Sequence, residues 1–337
     1  LTAILYLIFV PLLTLLFWFD ILPSYVGPWF FALLLLEHVN QELARLLIAI
    51  SRPLTASWML FARSGLWSVV LAFLMITRPE TRSILTVLQL WSIGGVAAAL
   101  LGFWSLTRLN ISGWRQKVDW NWIIQGLRIS IPFLIATLCL RGIYTLDRYW
   151  FEELVGIDAL AAYVLFIGIA GTMTSFLDSG VVVFHYPVMI RSWQKQEREV
   201  FIRETRSLLA QTMLFALFFA LLALSMMPYL LQWLDRPVYQ EYAYLFPYLL
   251  LATALFALSN VPHYALYAQG RDRALILSHI AGVVSFLAVT WIASHWNSNE
   301  AVPIGMCAAF GVILVWKALA YVVLTPRGYR ISALVIR

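Results

Sequence analysis

The sequence predicts an all-α polytopic membrane protein with about ten transmembrane helices. Three observations carry that prediction. The 337 residues are 62% hydrophobic and only 12% charged, whereas soluble domains are nearer half apolar and a quarter charged. The mean hydropathy is +0.83. The apolar residues also come in runs of about 20, enough to cross a bilayer as a helix. Alternating segments of about ten residues, the pattern of a closed β-barrel, are absent.

Taken in order, the spans fall near 1–20, 28–50, 56–77, 84–107, 123–146, 159–190, 208–233, 242–268, 273–295 and 302–325. The first, "LTAILYLIFV…", has no initiator Met, no basic leader and no small-residue cleavage site, so it does not read as a signal peptide. The second carries the polar stripe "EHVNQELARLL". The third and fourth are almost wholly apolar, and a polar stretch at 110–122 separates them from the fifth. The sixth is longer than a span needs and is expected to run on into the cytoplasm. Pro11, Pro132, Pro187, Pro228, Pro247 and Pro262 fall inside or near the ends of these helices. A membrane bundle tolerates them because neighbouring helices can satisfy the freed carbonyls. The segment "RSWQKQEREVFIRETR" (191–206) reads as a short amphipathic helix on the membrane surface.

Direction comes from the basic residues. Of the 23 Lys and Arg, fourteen lie in one set of connections and the C-terminal tail, among them Arg52, Arg108, Arg191, Arg198, Arg271 and Arg330. The opposite connections hold only Arg78, Arg82, Arg148 and Arg236, and five more lie within spans: Arg45, Arg63, Arg128, Arg141 and Lys317. The richer set is cytoplasmic by the positive-inside rule, which puts the C-terminus in the cytoplasm. The net charge of +6 is then a topology signal and calls for no nucleic-acid partner. On this reading Asp147 and Arg148 end the fifth span on the outer face, and Glu152, Glu153 and Asp158 occupy the turn that follows.

A repeat is present. "LLFWFDILPSY" (15–25) and "LLQWLDRPVY" (230–239) both end a span with Leu-Leu-x-Trp-x-Asp and then place Pro and Tyr in a turn. The helices that follow close in related ways, "LIAISRP" (47–53) and "LYAQGRD" (266–272), with Arg52 matching Arg271. Such internal repeats build two-lobed transporters. Counting back from the second copy leaves two helices unmatched ahead of the first. The expectation is a twelve-helix, six-plus-six architecture lacking its first two helices. The N-terminal lobe would be 1–109, a cytoplasmic linker 110–122, the C-terminal lobe 123–326 and a cytoplasmic tail 327–337.

Further residues point to a family. "GLRISIPFL" (126–134) followed by "LDRYWFEELVGIDALAAYVLF" (146–166) resembles the start of the C-terminal lobe in Wzx-type polysaccharide (O-antigen) flippases. These belong to the MOP superfamily, which also holds the MATE-like exporters. The features carrying the likeness are Pro132, Asp147-Arg148, Gly156 and Ala162-Tyr163, with Ala162 standing where many relatives have Gly. The resemblance implies transport of a lipid-linked oligosaccharide, a polyprenyl-diphosphate-linked repeat unit, across a bacterial inner membrane by alternating access. The lipid bilayer is then the second partner, and H+ or Na+ a possible coupling ion. It also implies roles in polysaccharide, lipopolysaccharide and O-antigen biosynthesis.

Charges at membrane depth are the candidate site, since each costs at least about 2.5–3.5 kcal/mol there and faces a partner or a wet cavity. On the second span, Glu37, Gln41 and Arg45 share one stripe, with Glu42 on the adjoining one. They form either a hydrophilic wall or a closed ion-pair network. Asn260 matches Gln41 in the second lobe, on a face with His263, Tyr264 and Tyr267. Arg141 and Arg148 lie seven residues apart, two turns on one face. Their planar forks suit phosphate, although Arg148 can equally pair with Glu152 or Asp158. Asp178 and His185 are also seven apart and are candidates for proton coupling, with pairing to Arg128 or Arg141 the competing role for Asp178.

Other chemistry is not indicated. Cys139 and Cys307 lie in apolar runs without metal-ligand spacing, and no phosphate-cradling Gly loop or nucleophile elbow is present. Neither a metal nor a cofactor is called for. A MATE-like drug or cation exporter is the alternative function. An integral glycosyltransferase or polysaccharide polymerase is the enzyme alternative, disfavoured by the short outer connections.

Overall fold

The computed structural model describes residues 2–19, 21–50, 52–108 and 119–331, and among these every regular element is helical. Ten long helices follow in chain order. They are α1 (Thr2–Trp18), α2 (Gly27–Ala49), α3 (Leu54–Thr77), α4 (Ile84–Thr107) and α5 (Trp120–Val155). Then come α6 (Ile157–Gln194), α7 (Arg198–Leu234), α8 (Phe246–Ala268), α9 (Asp272–Ser294) and α10 (Ser298–Leu324). Eight of them, α3 to α10, are long and apolar enough to cross a membrane. The protein is therefore an all-α polytopic membrane protein. Its exterior agrees: Trp233, Phe184, Leu214 and Val323 are each at least 70% exposed, which suits acyl chains and not water.

Contacts divide the chain into two compact units, 1–118 and 119–337. In the first, α2, α3 and α4 enclose Leu43, Leu47, Met59, Ala98 and Leu106. In the second, Phe151, Tyr163, Phe166, Phe246, Phe286 and Phe310 form the main core. There α10 packs chiefly against α9 and α8.

The caps follow local chemistry. Asp119 opens α5 by accepting from the Trp122 amide at 3.0 Å, and Ser83 opens α4 by accepting from Thr86, each satisfying an orphan N–H of the first turn. Asp235 closes α7 in the left-handed region at φ 47.

Two expectations are corrected. Asp147 and Arg148 do not end a span: α5 runs on to Val155, and the turn comes at Gly156 with φ +108. Only glycine takes that conformation cheaply, and Asp147 stays inside the helix because its carboxylate finds a buried donor there. The segment 191–206 is not a separate surface helix either. α6 ends at Gln194, Gln196 turns the chain at φ 58, and α7 starts at Arg198. Phe201, Ile202, Thr205 and Leu208 recur at helical spacing and are buried within the unit. That interior packing continues the first turns of α7 straight into its span.

The repeat is visible in local structure. A short 3-10 turn, Ser24–Val26, precedes α2, and another, Ala243–Leu245, precedes α8. Both helices are 23 residues long with Pro in the first turn, Pro28 and Pro247. Arg52 and Arg271 then occupy the position just before the next helix in each copy, neither with a capping side-chain hydrogen bond. Asp20, the first copy's acidic residue, lies outside the described residues, as does most of the linker (109–118) and of the tail (332–337).

Candidate functional site

In the first unit the polar stripe of α2 divides. Glu37 accepts a hydrogen bond from the Trp91 indole N–H of α4 at 2.9 Å and pairs with the Arg63 guanidinium of α3 at 3.4 Å. Both charged side chains are largely sheltered, 27% and 18% exposed. Trp67 stacks on Trp91 at 5.6 Å and 10°, closing the assembly. Arg63 sits in a π-helical stretch, Phe61–Leu66, an irregularity often found at functional positions. Beside it, Asn40 is buried and donates to the Gly95 carbonyl at 2.9 Å. Glu42 and Arg45 form a separate pair at 2.7 Å on the exposed side of α2, where Gln41 is exposed too. The ion pair with Arg63 thus engages Glu37, while Gln41, Glu42 and Arg45 lie on the exposed side of the helix.

In the second unit Arg141 and Arg148 are both exposed on α5. Among the described residues no carboxylate comes within 4.0 Å of either guanidinium, so Glu152 and Asp158 do not pair with Arg148. Asp147, between them in sequence, is wholly buried. It accepts from the Tyr163 hydroxyl of α6 at 2.8 Å and from the Arg148 amide at 2.8 Å. The same hydroxyl lies 3.0 Å from the Met306 sulfur of α10, and the Tyr163 ring stacks on Phe151 at 4.5 Å. This knot ties α5, α6 and α10 and fixes the helix face that carries Arg148.

Asp178 and His185 are not brought together. His185 Nδ1 lies 2.8 Å from Glu204 on α7. Asp178 is exposed at the start of a second π-helical stretch, Asp178–Val182, and pairs with neither Arg128 nor Arg141. Asn260 is half-buried on α8, and among the described residues its side chain makes no hydrogen bond.

Sequence reasoning missed three residues. Arg63 was visible as an opposite charge to Glu37 at similar depth. Tyr163 stood in a quoted motif, but its hydroxyl partner was not legible. Lys317, two turns before the end of α10, is fully buried, and the helices packed against α10 are α9, α8 and α5. No group of three or more His, Cys, Asp or Glu that could hold a metal occurs among the described residues.

The fold is that of a helical membrane protein with the architecture seen in MATE transporters. Two solved structures share it. One is a Vibrio cholerae MATE transporter, VcmN, as a mutant: TM-score 0.70, 16% identity, covering 97% of this chain and 76% of that one. The other is a multidrug resistance MATE family transporter of the MOP superfamily in its outward-facing conformation. It has TM-score 0.66 and 12% identity, covering 85% of this chain and 66% of that one. No family model matches the chain, and no curated protein matches it.

Proposed function

We propose that the protein transports a lipid-linked oligosaccharide, a polyprenyl-diphosphate-linked repeat unit, across a bacterial inner membrane by alternating access. The supporting observation is the pair Arg141 and Arg148: exposed, on one face of a membrane helix, and with no carboxylate within 4.0 Å among the described residues. Unpaired guanidinium groups at that depth are costly. A diphosphate headgroup, which accepts bidentate hydrogen bonds from each fork, offsets that cost. In the first unit Arg45, Gln41 and Glu42 on α2 are candidates for polar contacts to the sugars, with Glu37 held by Arg63; in the second unit Asn260 on α8 is the candidate. A coupling ion, H+ or Na+, belongs to this reading, with Asp178 and His185 as its first candidates. The likeness to transporters supports a non-enzymatic role.

The second reading is a MATE-like drug or cation exporter. It is favoured by the structural neighbours, one named as a multidrug resistance transporter, and by the exposed carboxylate of Asp178.

Reconstituted vesicles separate the two. A fluorescent polyprenyl-diphosphate oligosaccharide in one leaflet should become accessible from the other, with the rate falling at least about tenfold in Arg141→Ala. Arg141→Lys should impair transport nearly as much, because an ammonium lacks the planar fork. Normal rates in Arg141→Lys would rule out bidentate recognition. Proton-driven efflux of an organic cation, with no lipid movement, would replace the flippase reading by the exporter.

A further inference from the structure

Lys317 is 0% exposed on α10, two turns before its C-terminal end, and its Nζ has no hydrogen-bond partner among the described residues. An ammonium left alone in such surroundings costs several kcal/mol. Its neighbours are two imidazoles, His263 of α8 and His279 of α9, whose rings stack at 6.0 Å and 12°. Lys317 lies within electrostatic range of both. Three bases meet with no acid among them: the charges acting on His263 are Lys317 and His279, and the one acting on His279 is Lys317.

The other faces have been filled by non-acidic groups. α10 packs against α9, α8 and α5, and α5 presents the Ala136 carbonyl, 3.1 Å from His279 Nδ1. The nearest carboxylate on α5, Asp147, is eleven residues further on, about 16 Å along the helix, and is engaged by Tyr163. Next to His263, Tyr264 is the residue that feels Asp178. One turn beyond Lys317, Tyr321 donates to the Tyr329 carbonyl.

The Ala136 carbonyl decides how the pair is protonated. A carbonyl oxygen only accepts, so His279 Nδ1 carries the hydrogen. The neutral ring then offers Nε2 as a bare acceptor, and that atom has no donor. Lys317 Nζ is the converse, a donor without an acceptor. The two atoms are not hydrogen-bonded to each other among the described residues, so they are coupled through charge: a proton on Nζ disfavours one on Nε2, and the converse. His263 Nδ1, likewise without a partner, is a third position.

We propose that Lys317, His279 and His263 form a buried proton-binding site that shares one exchangeable proton within the second unit. A small anion is the less economical occupant. It would require the rings to be protonated as well, setting two or three positive charges against one negative in an apolar core. A single shared proton leaves the least net charge buried. The site includes neither Asp178 nor His185, and it stands whether or not the transport reading does.

The test uses the whole protein in lipid nanodiscs without substrate, so its outcome is independent of any transport assay. The chain contains three lysines, Lys117, Lys195 and Lys317. Labelling the lysine ε-carbons with 13C and the imidazoles with 15N therefore gives a sparse spectrum, and Lys317→Met assigns the buried resonance. On titration, the Lys317 and His279 signals should move in shared steps, since coupled groups titrate as a set. His279→Asn should displace the Lys317 midpoint by about one pH unit or more, leaving the other lysines unchanged. If the variants do not fold, coincident lysine and imidazole inflections in the wild type carry the same information. A Lys317 signal that titrates independently of the histidines overturns the proposal. So does one that stays fully charged and responds only to added chloride, which makes the cluster an anion site.

Discussion

Tyr163 and Asp147 show how one hydroxyl decides the fate of a charge. Asp147 is buried because Tyr163 and the Arg148 amide both donate to it. A buried carboxylate deprived of a donor bears the desolvation cost alone. Tyr163→Phe should therefore lower stability by about 1–3 kcal/mol, read as a drop in the thermal unfolding midpoint in detergent. Asp147→Asn with Tyr163 intact should cost less. The reverse order of effects would mean that ring stacking on Phe151, not the hydrogen bond, holds the knot. In the first unit the corresponding question is whether Glu37 and Arg63 are coupled. A double-mutant cycle with Glu37→Gln and Arg63→Met should return a coupling energy of about 0.5–3 kcal/mol. A value indistinguishable from zero would free Glu37 for the polar wall of α2.

At the scale of elements, close helix packing is written into glycines. A Cβ on Gly305 of α10 would collide with the Thr290 hydroxyl of α9, whereas one on Gly168 of α6 meets nothing within 4 Å. Small residues at such crossings let membrane helices approach closely. Gly305→Ala should thus destabilise by about 1–3 kcal/mol through overpacking. Gly168→Ala should be neutral or stabilising by up to about 1 kcal/mol, since alanine is the better helix former. Thermal unfolding of the two variants side by side checks this, and equal losses would mean that the α9–α10 contact yields to the added methyl. The same logic explains why α5 passes through Asp147 and stops at Gly156: the helix ends where the backbone can reach φ +108, not where the first charges appear.

At the scale of the whole molecule, the distribution of arginine and lysine makes a topological prediction. A reporter fused after Arg337 should be active only as a cytoplasmic fusion, and one inserted in the 78–83 connection only as an external one. Activity of the C-terminal fusion outside the cell would invert the orientation and with it the sidedness of the proposed transport. The internal repeat is a second feature of the whole chain. Its two copies share a turn, a proline, a helix length and an arginine at matching points. These are local features, repeated without long-range information.

The helical, membrane-spanning class and the number of long helices were legible in the sequence, because bilayer thickness fixes the length of an apolar run and backbone satisfaction forces it into a helix. Membrane-depth charges such as Glu37, Arg141 and Lys317 could be located there for the same reason. Which of them are partnered could not. Glu37 meets Arg63 from the next helix, Asp147 meets Tyr163 across a turn, and His185 meets Glu204 and not Asp178. Lys317, His263 and His279 are brought near one another by three consecutive helices, α8, α9 and α10. Pairing depends on the rotation of each helix about its axis, and in a bundle apolar on nearly every side the sequence gives that rotation almost no periodic signal. Only the packed tertiary structure decides it.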